Sequence, residues 1–152
     1  MLGRLLAVVA AAALLVPAAA TAGLSRNEAA LLRQMNRVRA QHGLHALRYD
    51  ARLERAARAH SHEMLLHNAF THGAFDSRLA SFGVRGSLAG ENLAWGLGAQ
   101  GTPNAFVAAW LASPEHRANL LRPSFRRVGL GDLAGTFQGY RGAQVVTADF
   151  VG

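Results

Sequence analysis

Apolar positions along the chain alternate between two spacings, and the switch between them marks the elements. After Ser25-Arg26-Asn27-Glu28, a capping-box pattern in which the serine caps the N3 amide and the glutamate reaches back, Leu31, Leu32, Met35 and Val38 recur at helical spacing. That helix is expected to end near Gln41 to Gly43. A short extended stretch, Leu44 to Tyr49, leads to Asp50, a cap for a second amphipathic helix with Leu53, Ala56, Ala57, His60 and Met64 on one face and Arg52, Arg55, Arg58 and Glu63 largely outside. Residues 67 to 90 then lose periodicity around Gly73, Gly83, Gly86 and Gly90, which predicts a long structured loop with one short helix near Asp76 to Phe82.

Proline at N1 predicts another helix from Thr102-Pro103 through Phe106, Val107 and Trp110, and Ser113-Pro114 restarts a turn or short helix. Further on, the spacing shortens to two. Val128 to Leu133 and Ala143 to Val151 read as strands around a glycine-containing hairpin, with Glu91 to Leu97 as a third. Helices first and paired strands last imply an α+β domain with an antiparallel sheet, not alternating βαβ units.

Composition changes this picture at the N-terminus. Of 152 residues 51% are hydrophobic, and much of that excess lies in Leu5 to Val16, preceded by Arg4 and followed by Pro17 and Ala20-Thr21-Ala22. A basic start, an apolar run and an A-x-A site are the marks of a secretory signal, cleaved after Ala22. The run is shorter than the roughly 20 residues that cross a bilayer. The expected organisation is a signal peptide at 1–22 and one domain at 23–152, giving a secreted or periplasmic monomer with no transmembrane anchor. The chain contains no cysteine, so neither a lipid anchor on cysteine nor a disulfide framework is available, and the domain must rest on its core.

The net charge of +7 falls to +6 without the signal, and every basic residue is arginine. Nucleic acid is not the expected partner, because the arginines at 33, 37, 52, 55 and 58 are placed on outer helical faces. Contact with anionic envelope polymers remains compatible with such a surface.

Seven histidines invite a metal reading, which spacing largely refuses. His62-Glu63 and His67 are one residue too far apart for a zinc-protease helix, turning the second imidazole by about 140°. His60 and His67 share a face but are separated by roughly 10 Å of helix. His60 reads as a satisfied histidine at the core edge, and His42 and His45 as turn residues. No cysteine, G-x-S-x-G serine or P-loop pattern is present. What remains is His72 in Phe70-Thr71-His72, Glu91 in Gly90-Glu91-Asn92-Leu93, and His116 in Ser113-Pro114-Glu115-His116-Arg117. Two imidazoles and a carboxylate suit either a divalent metal such as zinc, with His72 and His116 as ligands, or an acid/base group. Each also has a structural reading: Glu91 as an acceptor of loop amides, Asn92 as a turn former, Trp95, Trp110 and Phe150 as core.

These motifs, with Leu31-x-x-x-Met35-Asn36-x-x-Arg39, Ala57-x-x-His60-Ser61-x-x-Met64, Trp110-x-x-Ser113-Pro114-x-His116-Arg117-x-Asn119-Leu120, Val128-Gly-Leu-Gly131 and Thr147-x-Asp149-Phe150, occur in an order that resembles the CAP (SCP-like) superfamily, in particular its short cysteine-free bacterial branch. The resemblance spans nearly all of 23–152. It implies a three-layer α-β-α sandwich with a central antiparallel sheet and a cleft lined by histidine and glutamate. His72 and Glu91 match two of the four cleft residues of eukaryotic relatives. Ser113 and Val145 stand where those relatives have a second glutamate and a second histidine, Ala148 replaces a usual glutamine, and His116 is the bacterial branch's own addition. The functions implied are a non-enzymatic binding module for a metal or small ligand at the envelope, a hydrolase of peptide or cell-wall material with Glu91 as base, or a lipid-binding protein.

Overall fold

The computed structural model describes residues 23–152; the signal segment expected at 1–22 lies outside them. Eight helices and strands of substantial length and one short edge strand follow in the order α1 (Arg26–Gln41), β1 (Arg48–Tyr49), α2 (Ala51–His67), α3 (Phe75–Ser81), β2 (Ala89–Gly96), α4 (Pro103–Ala112), α5 (Pro114–Leu120), β3 (Arg127–Phe137) and β4 (Tyr140–Val151). The capping box forms: Glu28 N donates to Ser25 Oγ and Ser25 N to Glu28 Oε2. Asp50 accepts from the amides of Arg52 and Leu53 and starts α2.

The sheet runs β1-β3-β4-β2. Its three long strands are antiparallel, as expected, but β1 pairs parallel with β3 through Arg48 and Tyr49 alone, so the sheet is mixed. The reason is local. On its way from α1 to α2 the chain brushes the β3 edge, Arg48 N donating to Arg126 O and Asp50 N to Val128 O, and then turns away into the helix. β3 and β4 reach further than periodicity suggested because the hairpin closes at Gln138-Gly139, where both residues have positive φ and extend the ladder to Phe137–Tyr140.

Alternation along the strands sorts the two faces. Val128, Leu130, Val146, Ala148 and Phe150 meet Leu31, Met35, Phe106, Trp110 and Leu120 of α1, α4 and α5 in the main core. The opposite face receives α2, with α3 beside it. Contact there is close enough to demand glycine: a Cβ at Gly129 would lie 2.0 Å from the Leu53 carbonyl carbon, and one at Gly131 2.5 Å from that of Ala57. Ser61 Oγ then bonds both Gly131 O and Thr147 Oγ1 through the same contact. The result is the three-layer α-β-α sandwich.

One buried cation fixes the far side. Arg39 of α1 is fully buried and donates to the carbonyls of His45, Leu120, Arg122 and Phe125. This ties α1 to the end of α5, the helix that carries His116. Trp110 and Phe150 are core as expected, whereas Trp95 is only half-buried and stacks on Tyr140.

Candidate functional site

Glu91 and Asp149 face each other across β2 and β4 and point to the α2 side of the sheet. Both are buried. Their side chains are enclosed by α2 and by the 68–88 segment, whose short helix α3 supplies the cation that makes the burial tolerable. Phe75, Arg78, Leu79 and Phe82 occupy one face of α3 by the i, i+3, i+4, i+7 rule. Arg78 therefore points inward, where its Nη2 pairs with Glu91 Oε2 and lies 3.9 Å from Asp149 Oδ1. Its guanidinium sits over the Phe75 ring and donates to His72 O, which locks its direction.

Glu91 Oε1 is engaged as well, 2.7 Å from His72 Nδ1. With the carboxylate ionised, Nδ1 carries the proton and the outer nitrogen of His72 is an acceptor; that imidazole is 59% exposed and aims the free lone pair at solvent. His60 closes the inner wall. Its Nε2 donates to Thr71 O at 2.8 Å and stands 4.0 Å from Glu91 Oε2. Burial, and then the Arg78 charge, hold its pKa below the ordinary imidazole value, so it is neutral.

The carboxyls do not ionise independently. Burial pushes Glu91 up to about 7, with Arg78 and the Asp149 hydroxyl pulling it down. Burial and then the Glu91 charge raise Asp149 well above the usual carboxylate range. Among the described residues, neither Asp149 oxygen meets a donor in normal geometry. A single proton held between the two carboxyls, with Arg78 opposite, is the state that leaves the fewest uncompensated charges.

His116 approaches from the other side of β2. The side chain of Asn92 donates to His116 O, and Asn119 donates to both Glu91 O and Asn92 Oδ1, so α5 is stitched to the strand that bears Glu91. Burial, and then the nearby His72, lower the His116 pKa, Glu115 opposing. Glu91 is thus the inner support of His72, and His116 is joined to the Glu91 strand through its carbonyl and through Asn119 of the same helix. Asn92 has a long-range role in place of the local turn, and Glu91 accepts from side chains in place of loop amides. Val145 is buried in an apolar cluster, and Ser113 caps nothing with its side chain at the start of α5.

Sequence reasoning left out Arg78, Asp149 and the direct part of His60. Arg78 had a legible signal, an arginine on the apolar face of a short helix, which requires a buried anion. Asp149 had one too, an acid flanked by Ala148 and Phe150 within a strand. Among the described residues, no set of three or more His, Cys, Asp or Glu side chains is gathered as a metal site would be. A divalent ion would have at most His72 and His116 as ligands here, and the Glu91 carboxylate, bonded to His72 from behind, would orient the first as carboxylates commonly do for a ligand histidine.

The fold and this cleft define a CAP domain. The family model of the cysteine-rich secretory protein (CAP) family matches residues 32–150, and the chain belongs to that family. It is 37% identical over 117 residues to the uncharacterized protein YkwD of Bacillus subtilis, covering 74% of this chain and 44% of that one. With the uncharacterized membrane protein YlbC of the same organism it shares 34% over 110 residues, covering 69% and 31%. The chain thus spans less than half the length of either relative. Among solved structures, an extracellular SCP-domain protein of Bacillus anthracis superposes with a TM-score of 0.68 at 30% identity, over 80% of this chain and 38% of that one. An outer surface protein of Borrelia burgdorferi gives 0.67 at 23%, over 79% and 87%, a likeness of fold. Among the described residues no helix is long and apolar enough to cross a membrane.

Proposed function

We propose that this bacterial-type CAP domain is exported, with residues 1–22 as its signal peptide, and acts as a monomeric, non-enzymatic binding module at the cell envelope. Its cleft takes a divalent cation such as zinc, or a small ligand, on His72 and His116. The observation that carries this reading is the commitment of both Glu91 oxygens, one to His72 and one to Arg78. A general base must be reached by water, and the Glu91 side chain is 2% exposed with each oxygen already bonded, which disfavours the alternative of a hydrolase of peptide or cell-wall material with Glu91 as base. The same two contacts preorganise His72 as a donor of electrons to a ligand. The extracellular SCP-domain relative fits an exported role.

A second surface suits anionic envelope polymers. Arg52, Arg85 and Arg127 line a shallow depression of about 420 Å³ beside Asp50. Binding there is expected to weaken as salt rises.

Zinc titrated calorimetrically into the 23–152 chain is expected to give saturable heat that His72→Ala and His116→Ala each abolish; heat unaffected by both would remove the metal. Turnover of peptides or peptidoglycan that Glu91→Ala eliminates would replace the binding module with the hydrolase. Lipid retained in native mass spectra would point to the lipid-binding alternative.

A further inference from the structure

A second group of acids lies where α1, α2 and the β3 edge meet. β1 covers β3 only at Arg127 and Val128, so beyond them the edge amide of Asp132 is free to donate to Glu28 Oε1. Glu28, Glu54 and Asp132 are all buried. Among the described residues, the one basic side chain that pairs with any of them is Arg58, which bonds both oxygens of Glu28 and reaches Glu54 Oε1 at 2.7 Å. Neither Asp132 oxygen has a hydrogen-bond partner of normal geometry among those residues, although Asp132 is more than nine-tenths buried. Two or three carboxyls therefore face one guanidinium, a local deficit of positive charge.

Gly23 is already seated there. Its carbonyl accepts from Arg58 Nη2 at 3.1 Å. A Cβ on Gly23 would lie 2.5 Å from Tyr49 Oη and 3.5 Å from Glu54 Oε2, so Gly23 packs directly against that pair, and its Cα lies within about 5 Å of the Glu54 oxygen. Tyr49 in turn donates to Glu54 Oε2. Gly23 is also the residue that follows the A-x-A site.

We propose that the α-ammonium of Gly23, released by cleavage after Ala22, docks against Glu54 in this cluster and completes its charge balance. Peptidase-catalysed hydrolysis of the Ala22–Gly23 bond consumes one water and leaves a carboxylate on Ala22 and an ammonium on Gly23. A neutral amide nitrogen thereby becomes a cation at the place where the fold lacks one. The opposing field of the α1 N-terminus is offset by Glu28 at its third position. The N-terminus is thus an internal ligand that only the processed chain possesses. This rests on the export reading above, and the test separates the two.

The chain has no lysine, so the processed protein carries a single primary amine. The full-length gene is expressed in an exporting bacterium, and intact mass gives the first residue; a start other than Gly23 overturns the proposal at the cleavage step. The amine is then reductively methylated with ¹³C-formaldehyde, which keeps its charge, and titrated by NMR with and without urea. The groups facing it are Glu54, Tyr49, Glu28, Arg58 and Asp132. The native amine is expected to titrate at least about one unit above the denatured one, and Glu54→Gln to remove most of that difference. Acetylating the amine is expected to lower the melting temperature by roughly 3–5 °C, less in Glu54→Gln. An amine that titrates alike in native and denatured protein overturns docking, whatever the variant does.

Discussion

Glu91 and Asp149 on the α2 face of the sheet, and Glu28, Glu54 and Asp132 at its β3 edge, are two groups of buried carboxyls, each served by one arginine. They differ in what stands between them and water. Over the first lies the half-exposed imidazole of His72 on the segment between α2 and α3. Over the second lie Tyr49 and the Gly23 backbone. The first group is held by a cation that is itself nearly sealed, Arg78 being 8% exposed, and the second by one that is 36% exposed. Similar charge arithmetic yields an open cleft in one place and a closed joint in the other, because the cation's burial and the outward groups decide which solute or segment completes the balance.

The difference in burial can be broken directly. Arg78→Leu strands Glu91 and Asp149 without a cation and is expected to cost about 3–5 kcal/mol in urea unfolding, the range for breaking a buried pair. Adding Glu91→Gln should return much of that loss. Arg58→Ala, at the more exposed cation, is expected to cost only about 1–2 kcal/mol. Equal losses at the two arginines would end the comparison.

A pH series sharpens it. A carboxyl raised in the fold, Glu91 from 4.5 to about 7, binds more protons native than unfolded between those values. Its contribution is complete below about 4.5 and is lost as pH rises through 7. Asp132, pushed to about 6 by burial and then Glu28, acts in the same sense, whereas the lowered His60 and His116 act oppositely. Asp149→Asn removes one member of the proton-sharing pair, so the melting temperature of the variant relative to the parent is expected to climb by roughly 3–6 °C between about pH 5 and pH 8. A constant offset over that range would show that the two carboxyls titrate separately. The smallest effect belongs to His72→Ala, whose exposed ring is expected to change unfolding free energy by less than about 1 kcal/mol while removing ligand binding.

Legibility from sequence followed the range of the interaction. Capping and amphipathic signals placed α1, α2 and α4 nearly to the residue, since Ser25, Asp50 and Thr102-Pro103 act within one helical turn. The family pattern named His72 and Glu91 as members of one cleft, and the fold bonds them across 19 residues of sequence. Arg58 was expected on an outer face and instead bridges α2 to Glu28 of α1, because a long side chain can leave its helical face to reach an anion. The parallel β1 pairing was equally invisible: two residues carry no periodicity, and the pairing is set by where the connection from α1 to α2 meets the β3 edge. Asp149 and Arg78 needed each other to be noticed, since a buried charge is interpretable only with its partner.

The Arg39 hub has a consequence for handling the protein. Four carbonyls spread from residue 45 to residue 125 converge on one guanidinium, a cross-link made without sulfur. Nothing in that tie can be reduced or shuffled. The domain should fold as readily under reducing as under oxidising conditions, with a melting curve indifferent to dithiothreitol, because no tie in it waits on an oxidase.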